Sequence, residues 1–167
     1  MLYLRSAITA CLLSAMVACA SIPARATQPD FGGAWSVQWC DKADSDRDCG
    51  GFSLYLVQDG DRLCGEHQVA TVGLSRLDEG QPGTVLGIVS GNKATMVIDA
   101  TRSGAKYLAT AERSGNRLQW RLVGMVNAGE FPEPTIIPQR DALTRDISAH
   151  QIEHMKAVKD APCRWPE

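Results

Sequence analysis

Short runs of alternating polarity, each ended by a glycine turn, constrain this chain more than any other feature. The cleanest is Arg117-Leu118-Gln119-Trp120-Arg121-Leu122, which puts Leu118, Trp120 and Leu122 on one face and Arg117, Gln119 and Arg121 on the other. That period of two belongs to a strand buried on one side only. Residues 33–40 and 52–58 form similar runs, and 61–69 returns after Asp59-Gly60, a strong two-residue hairpin signal. Further runs at 84–89, 93–101 and 106–112 are separated by Ser90-Gly91-Asn92 and Ser103-Gly104, and Ser114-Gly115-Asn116 leads into the run at 117. Seven such strands predict an all-β antiparallel meander, closed as a barrel or stacked as a sandwich. The strand–helix alternation of a doubly wound nucleotide-binding enzyme is missing.

After Gly124 the pattern changes. Pro132, Pro134 and Pro138 divide 124–138 into a surface loop with a short strand near 135–137, or else an eighth strand runs near 139–145. Ser148, with Gln151 three positions on, reads as a capping box. Ile152, Met155 and Val158 then line the buried side of one C-terminal α-helix that ends before Pro162 and lies across the sheet. The fold expected is a small antiparallel up-and-down β-barrel of about eight strands with this helix appended.

The N-terminus sets the compartment. Residues 1–26 carry a basic start, an apolar stretch over 7–20 and an A-x-A cut site at Ala24-Arg25-Ala26, the anatomy of a signal peptide. Residues 27–167 are then one mature domain, a periplasmic or secreted monomer. Met16-Val17-Ala18-Cys19 offers a competing cut in which Cys19 is lipidated, the one route by which a membrane enters the reading. The chain has a net charge of −2, and loss of Arg5 and Arg25 with the signal makes the mature protein more acidic, which argues against nucleic acid as a partner.

Export also decides how the six cysteines are read. Cys11 and Cys19 leave with the signal, so Cys40, Cys49, Cys64 and Cys163 remain for structural disulfides. A turn at Asp59-Gly60 puts Gln58 opposite Asp61 and Tyr55 opposite Cys64. Cys49 is then roughly 20 Å from Cys64 at ~3.3 Å per residue, whereas a disulfide needs Cα atoms within about 7 Å. Cys49–Cys64 is excluded, and Cys40–Cys163 with it. Of the two pairings left, Cys40–Cys49 with Cys64–Cys163 is preferred, the first closing a polar loop and the second tying the tail to the body; Cys40–Cys64 with Cys49–Cys163 stays open.

Gly33-Ala34-Trp35 at the head of the first strand, in an exported meander with a late helix, resembles the lipocalin and calycin barrels. The resemblance implies that Trp35 plugs one barrel end beneath an arginine, Arg145 or less suitably Arg140. It also implies a small apolar molecule or lipid as ligand, held without a cofactor and without catalysis. Trp39, Trp120 and Tyr55 are the aromatic candidates for lining such a pocket, and core or barrel-plug packing is the simpler role for all three. The short cysteine-closed loop and the proline-rich 132–138 segment depart from that family's pattern.

Ser103-Gly104-Ala105-Lys106-Tyr107 is similar to a loop of the periplasmic inhibitors of chicken-type lysozyme. That similarity implies a second reading, an inhibitor or immunity-type protein binding a secreted enzyme through Ser103, Lys106 and Tyr107. A hydroxyl and an ammonium suit the carboxylate pair of such an enzyme.

Three other patterns imitate chemistry. His150-Gln151-Ile152-Glu153-His154 matches H-x-x-E-H, with both histidines on one helical face, but no further helix remains to supply a third zinc ligand. These side chains are expected on the wet side of the helix. Asp44, Asp46 and Asp48, with Asp41, imitate the start of a calcium loop that lacks its glycine and its final glutamate. His67 has no recognisable nucleophile beside it, and Glu66 points to the other face of the same strand. No catalytic residue and no metal site is assigned.

Overall fold

The computed structural model describes residues 29–131 and 133–161. Nine strands, β1 (Gly33–Trp39), β2 (Gly50–Asp59), β3 (Arg62–Ala70), β4 (Leu77–Glu79), β5 (Val85–Ser90), β6 (Lys93–Ala100), β7 (Ala105–Ser114), β8 (Arg117–Asn127) and β9 (Arg140–Arg145), are followed by one helix, α1 (Ala149–Asp160). Every pairing is antiparallel between neighbours, and the sheet closes because β9 returns to β1 while β2 also pairs with β3. Eight strands make the ring, a shape compatible with a lipocalin-like barrel. Strand β4 is an addition: β5 covers Arg62–Gly65 of β3, and β4 takes up the same edge at Gln68–Ala70. Gly65 sits beside this change of partner, and a methyl group there would lie 1.8 Å from the Tyr55 carbonyl oxygen, so only glycine lets β2 and β3 approach so closely.

Alternation puts one side of each strand into the interior. Phe52, Leu54 and Leu56 point inward from β2, and Leu118, Trp120 and Leu122 from β8, as their spacing predicts. Phe52 packs on Trp120 with ring centroids 5.0 Å apart. Trp35, fully buried, donates its indole N–H to the Phe31 carbonyl at 2.8 Å. The Arg145 guanidinium lies 4.7 Å from the Trp35 ring centroid, with Arg113 at 5.8 Å, while Arg145 donates to the Asp30 carbonyl at 3.1 Å. Cation–π contact of this kind contributes roughly 0.5–2 kcal/mol. It also spans the shortest seam of the ring, because β1 and β9 share only the register pairs Trp35↔Arg145 and Ser36↔Thr144.

Several details depart from the sequence reading. The first hairpin turns at Gly60-Asp61, one residue later than expected, with Asp59 opposite Arg62 and Cys64 opposite Val57. Gly60 has φ +60°, the left-handed conformation such a turn requires. Moving the turn by one residue moves every partner by two, so the inward and outward sets survive and Cys49 lies even further from Cys64. Residues 74–83 hold the short β4 as well as turns, β8 runs on to Asn127, and 135–137 is not a strand. The eighth ring strand is β9, within the alternative range.

The disulfide Cys40–Cys49 closes the polar loop between β1 and β2. Cys64 is also disulfide-bonded; its expected partner, Cys163, lies outside the described residues, as do the signal segment and Cys19.

Helix α1 packs against the outer face of β1 and β2, where Met155 and Val158 join Ala34, Tyr55 and Val57 in a second small core. Ile152, expected in that stripe, is half exposed. Ser148 is the N-cap by backbone position, but its side chain makes no capping bond. Asp146 starts the helix instead, accepting the Ser148 N–H at 3.0 Å and the Ser36 hydroxyl at 2.9 Å. The Ser148 backbone bond leads in holding the Asp146 carboxyl below its ordinary range.

Candidate functional site

The candidates read from the sequence do not converge. Ser103 and Tyr107 are buried, Tyr107 within the main core. The Ser103 hydroxyl accepts the Ala105 N–H at 3.2 Å, and its carbonyl accepts Glu130 and Phe131 N–H at 3.1 and 3.3 Å. Lys106 points outward and is ion-paired with Asp99. Strand alternation therefore puts Lys106 on the opposite side of β7 from Tyr107, while Ser103 lies in the turn before the strand. Trp39 and Trp120 serve packing: their indole N–H groups donate to Asp141 Oδ2 and to the Pro138 carbonyl, each at 2.8 Å.

His154 is not on the wet side of α1. Its ring packs at a tilt against Tyr55, with centroids 4.2 Å apart, and bonds the buried Glu66, while His150 stays exposed. The two histidines are thus divided, and no group of three or more metal-binding side chains occurs among the described residues. In the acidic loop the carboxylates bond their own backbone, Asp41 to Ala43 N–H at 2.9 Å and Asp44 to Asp46 N–H at 3.2 Å.

One buried constellation escaped the sequence reading. His67 points inward from β3, fully buried, and its Nε2 lies 3.7 Å from Asp78 Oδ2. Thr101 donates to Asp78 Oδ1 at 2.6 Å. Burial works to raise the Asp78 carboxyl, but contact with His67 and the Thr101 bond outweigh it and hold the group below its ordinary range. On the other side of the ring, His67 Nδ1 and the Thr84 hydroxyl are both buried and unbonded. Both crowd Gly80, where a methyl group would come within 2.8 Å of the one and 2.3 Å of the other. Carboxylate, imidazole and hydroxyl follow one another as in a nucleophilic triad. The His67 ring is nevertheless sealed from solvent, so no substrate reaches it.

An open depression lies outside the ring. It is a groove of about 580 Å³ across β6, β7, β8 and β9. Thr95, Thr110, Arg121 and Arg140 form one row across the four strands, since Thr95 pairs with Thr110, Thr110 with Arg121 and Arg121 with Arg140. Lys93, Glu112 and Gln119 form the adjoining row, and the inward-facing Ala94, Ala111 and Trp120 underlie the groove. Arg121 and Arg140 are exposed, and neither makes an ion pair or side-chain hydrogen bond to a described residue. Like charges directly opposite on paired strands repel. The groove's carboxylates are already engaged: Glu112 accepts from Asn92 at 2.9 Å, and Asp141 holds the Trp39 indole.

The alternation had marked Arg117, Gln119 and Arg121 as wet, but Arg140 joins Arg121 only once the β8–β9 register is known. Glu66 and His154 are 88 positions apart and carry no local signal. Compared with family models, with curated proteins and with solved structures, the chain matches none.

Proposed function

We propose that this chain is an exported, non-enzymatic binding protein that takes its partner on the outside of a packed barrel. The filled interior carries the reading. Trp35, Phe31, Phe52, Leu54, Leu63 and Leu118 are fully or almost fully buried within one continuous core. A small apolar ligand calls for a lumen of ~300 Å³ or more lined by apolar side chains, whereas the groove across β6 to β9 is polar-edged and external. The Cys40–Cys49 disulfide is consistent with an oxidising compartment, periplasmic or extracellular.

Titration with cis-parinaric acid tests this directly. The expected result is no saturable fluorescence change at micromolar protein; stoichiometric binding would return the ligand to the lumen and end the proposal. A companion assay against chicken-type lysozyme is expected to give no inhibition, because Ser103 and Tyr107 are committed to the barrel.

A further inference from the structure

We infer that the β6–β9 groove binds a small polyhydroxylated carboxylate, a sugar acid, through Arg121 and Arg140; this rests on the reading that the barrel binds on its outer face. The cations of this chain differ in what surrounds them. Arg47, Arg76, Arg102, Lys106, Arg145 and Lys156 each have a carboxylate within reach. Arg121 and Arg140 have none among the described residues, and neither do Lys42, Lys93, Arg113, Arg117 and Lys159; what sets the two arginines apart is that they stand directly opposite each other on paired strands. In a chain of net charge −2, two adjacent unneutralised guanidinium groups are a local excess rather than a background.

An oxyanion between them would turn repulsion into two charge-assisted contacts, and the planar fork of arginine suits a carboxylate. Beside the pair, Thr95, Thr110 and Gln119 supply groups that both donate and accept, as sugar hydroxyls require. Lys93 stands opposite Glu112 and has part of its charge offset there, so the arginines define the anion position. The concavity is within the range of small-ligand sites. It lacks the exposed aromatic anchors that concentrate binding energy in protein–protein contacts.

The test is isothermal titration and thermal-shift measurement of the mature protein with digalacturonate, inorganic phosphate, neutral cellobiose and a polyglutamate peptide. Digalacturonate is expected to bind and raise Tm, phosphate to bind at least tenfold more weakly, and cellobiose not to bind. Arg121→Gln/Arg140→Gln should lose at least tenfold in digalacturonate affinity, while Lys156→Gln/Lys159→Gln, an equal loss of two charges on α1, should lose none. Arg140→Glu should abolish binding and raise the ligand-free Tm by pairing with Arg121, which separates loss of the site from loss of the fold. Equal binding by the double glutamine variant, phosphate as tight as digalacturonate, tighter binding of polyglutamate, or no digalacturonate binding would each overturn the inference. If digalacturonate and cis-parinaric acid both fail to bind, only the sugar acid falls; binding of cis-parinaric acid removes the underlying reading itself.

Discussion

The two outer faces of this barrel treat buried and exposed charge in opposite ways. Over β1 and β2, helix α1 brings His154 to a carboxylate, Glu66, that the helix itself helps to bury. Over β6 to β9 no described helix packs on the sheet, and Arg121 and Arg140 face each other with no counter-charge from the described residues. On the covered face the chain supplies both partners of the interaction, so the pair serves the fold. On the open face it supplies one half, which is the arrangement of a site that meets its other half from solution. Strand β3 repeats the first pattern inward, since its next residue, His67, meets Asp78 inside the ring.

Substitutions can break this comparison, and the covered face should respond most. His154→Leu strands the Glu66 carboxylate under α1 and should cost about 3 kcal/mol, the low end for a broken buried pair because His154 is partly exposed. Urea unfolding would measure it, and His154→Leu with Glu66→Leu should recover much of the loss. Inside the ring, Asp78→Asn should cost about 1.5–3 kcal/mol near neutral pH, the scale of a hydrogen bond to a charged group. Its sign with pH is fixed: the lowered Asp78 carboxyl stabilises the fold above its ordinary value of 3.8 and loses that contribution as acid carries the pH through its lower folded value. Wild type should therefore lose stability more steeply than Asp78→Asn as the pH falls from 3.8 through that lower value, as a pH series of melting curves would read.

The open face should respond least, and in the opposite direction. Arg140→Gln relieves the facing charges and should leave the protein unchanged or more stable by about 0.5 kcal/mol. A clear destabilisation there would mean that Arg140 serves the fold after all, and the contrast between the faces would collapse.

How much of this was legible follows from the range over which each signal acts. Strand spacing and facing are local: Leu118, Trp120 and Leu122 declare their side through their neighbours, and glycine turns mark the ends. Register is not local. The turn at Gly60-Asp61 and the expected one at Asp59-Gly60 give the same alternation, so pattern alone cannot choose between them. β4, three residues long, is below the length at which periodicity speaks. The sites depend on register or on distant pairing, as Arg121 with Arg140 and Glu66 with His154 do. A short motif such as that at Ser103 says nothing about which way its hydroxyl points, and here it points into its own turn.

The two-pair seam between β1 and β9 gives the molecule a preferred way to come apart. A cylinder sewn along most of its circumference by long ladders and along one line by a short one unrolls at that line. Arg145, reaching across it to Trp35 and Asp30, is the fastener. Amide exchange should accordingly be fastest in β9 and the neighbouring part of β1 and slowest in β2, β3 and β7, with opening there preceding global unfolding. The barrel would then flatten into a sheet before it loses its strands.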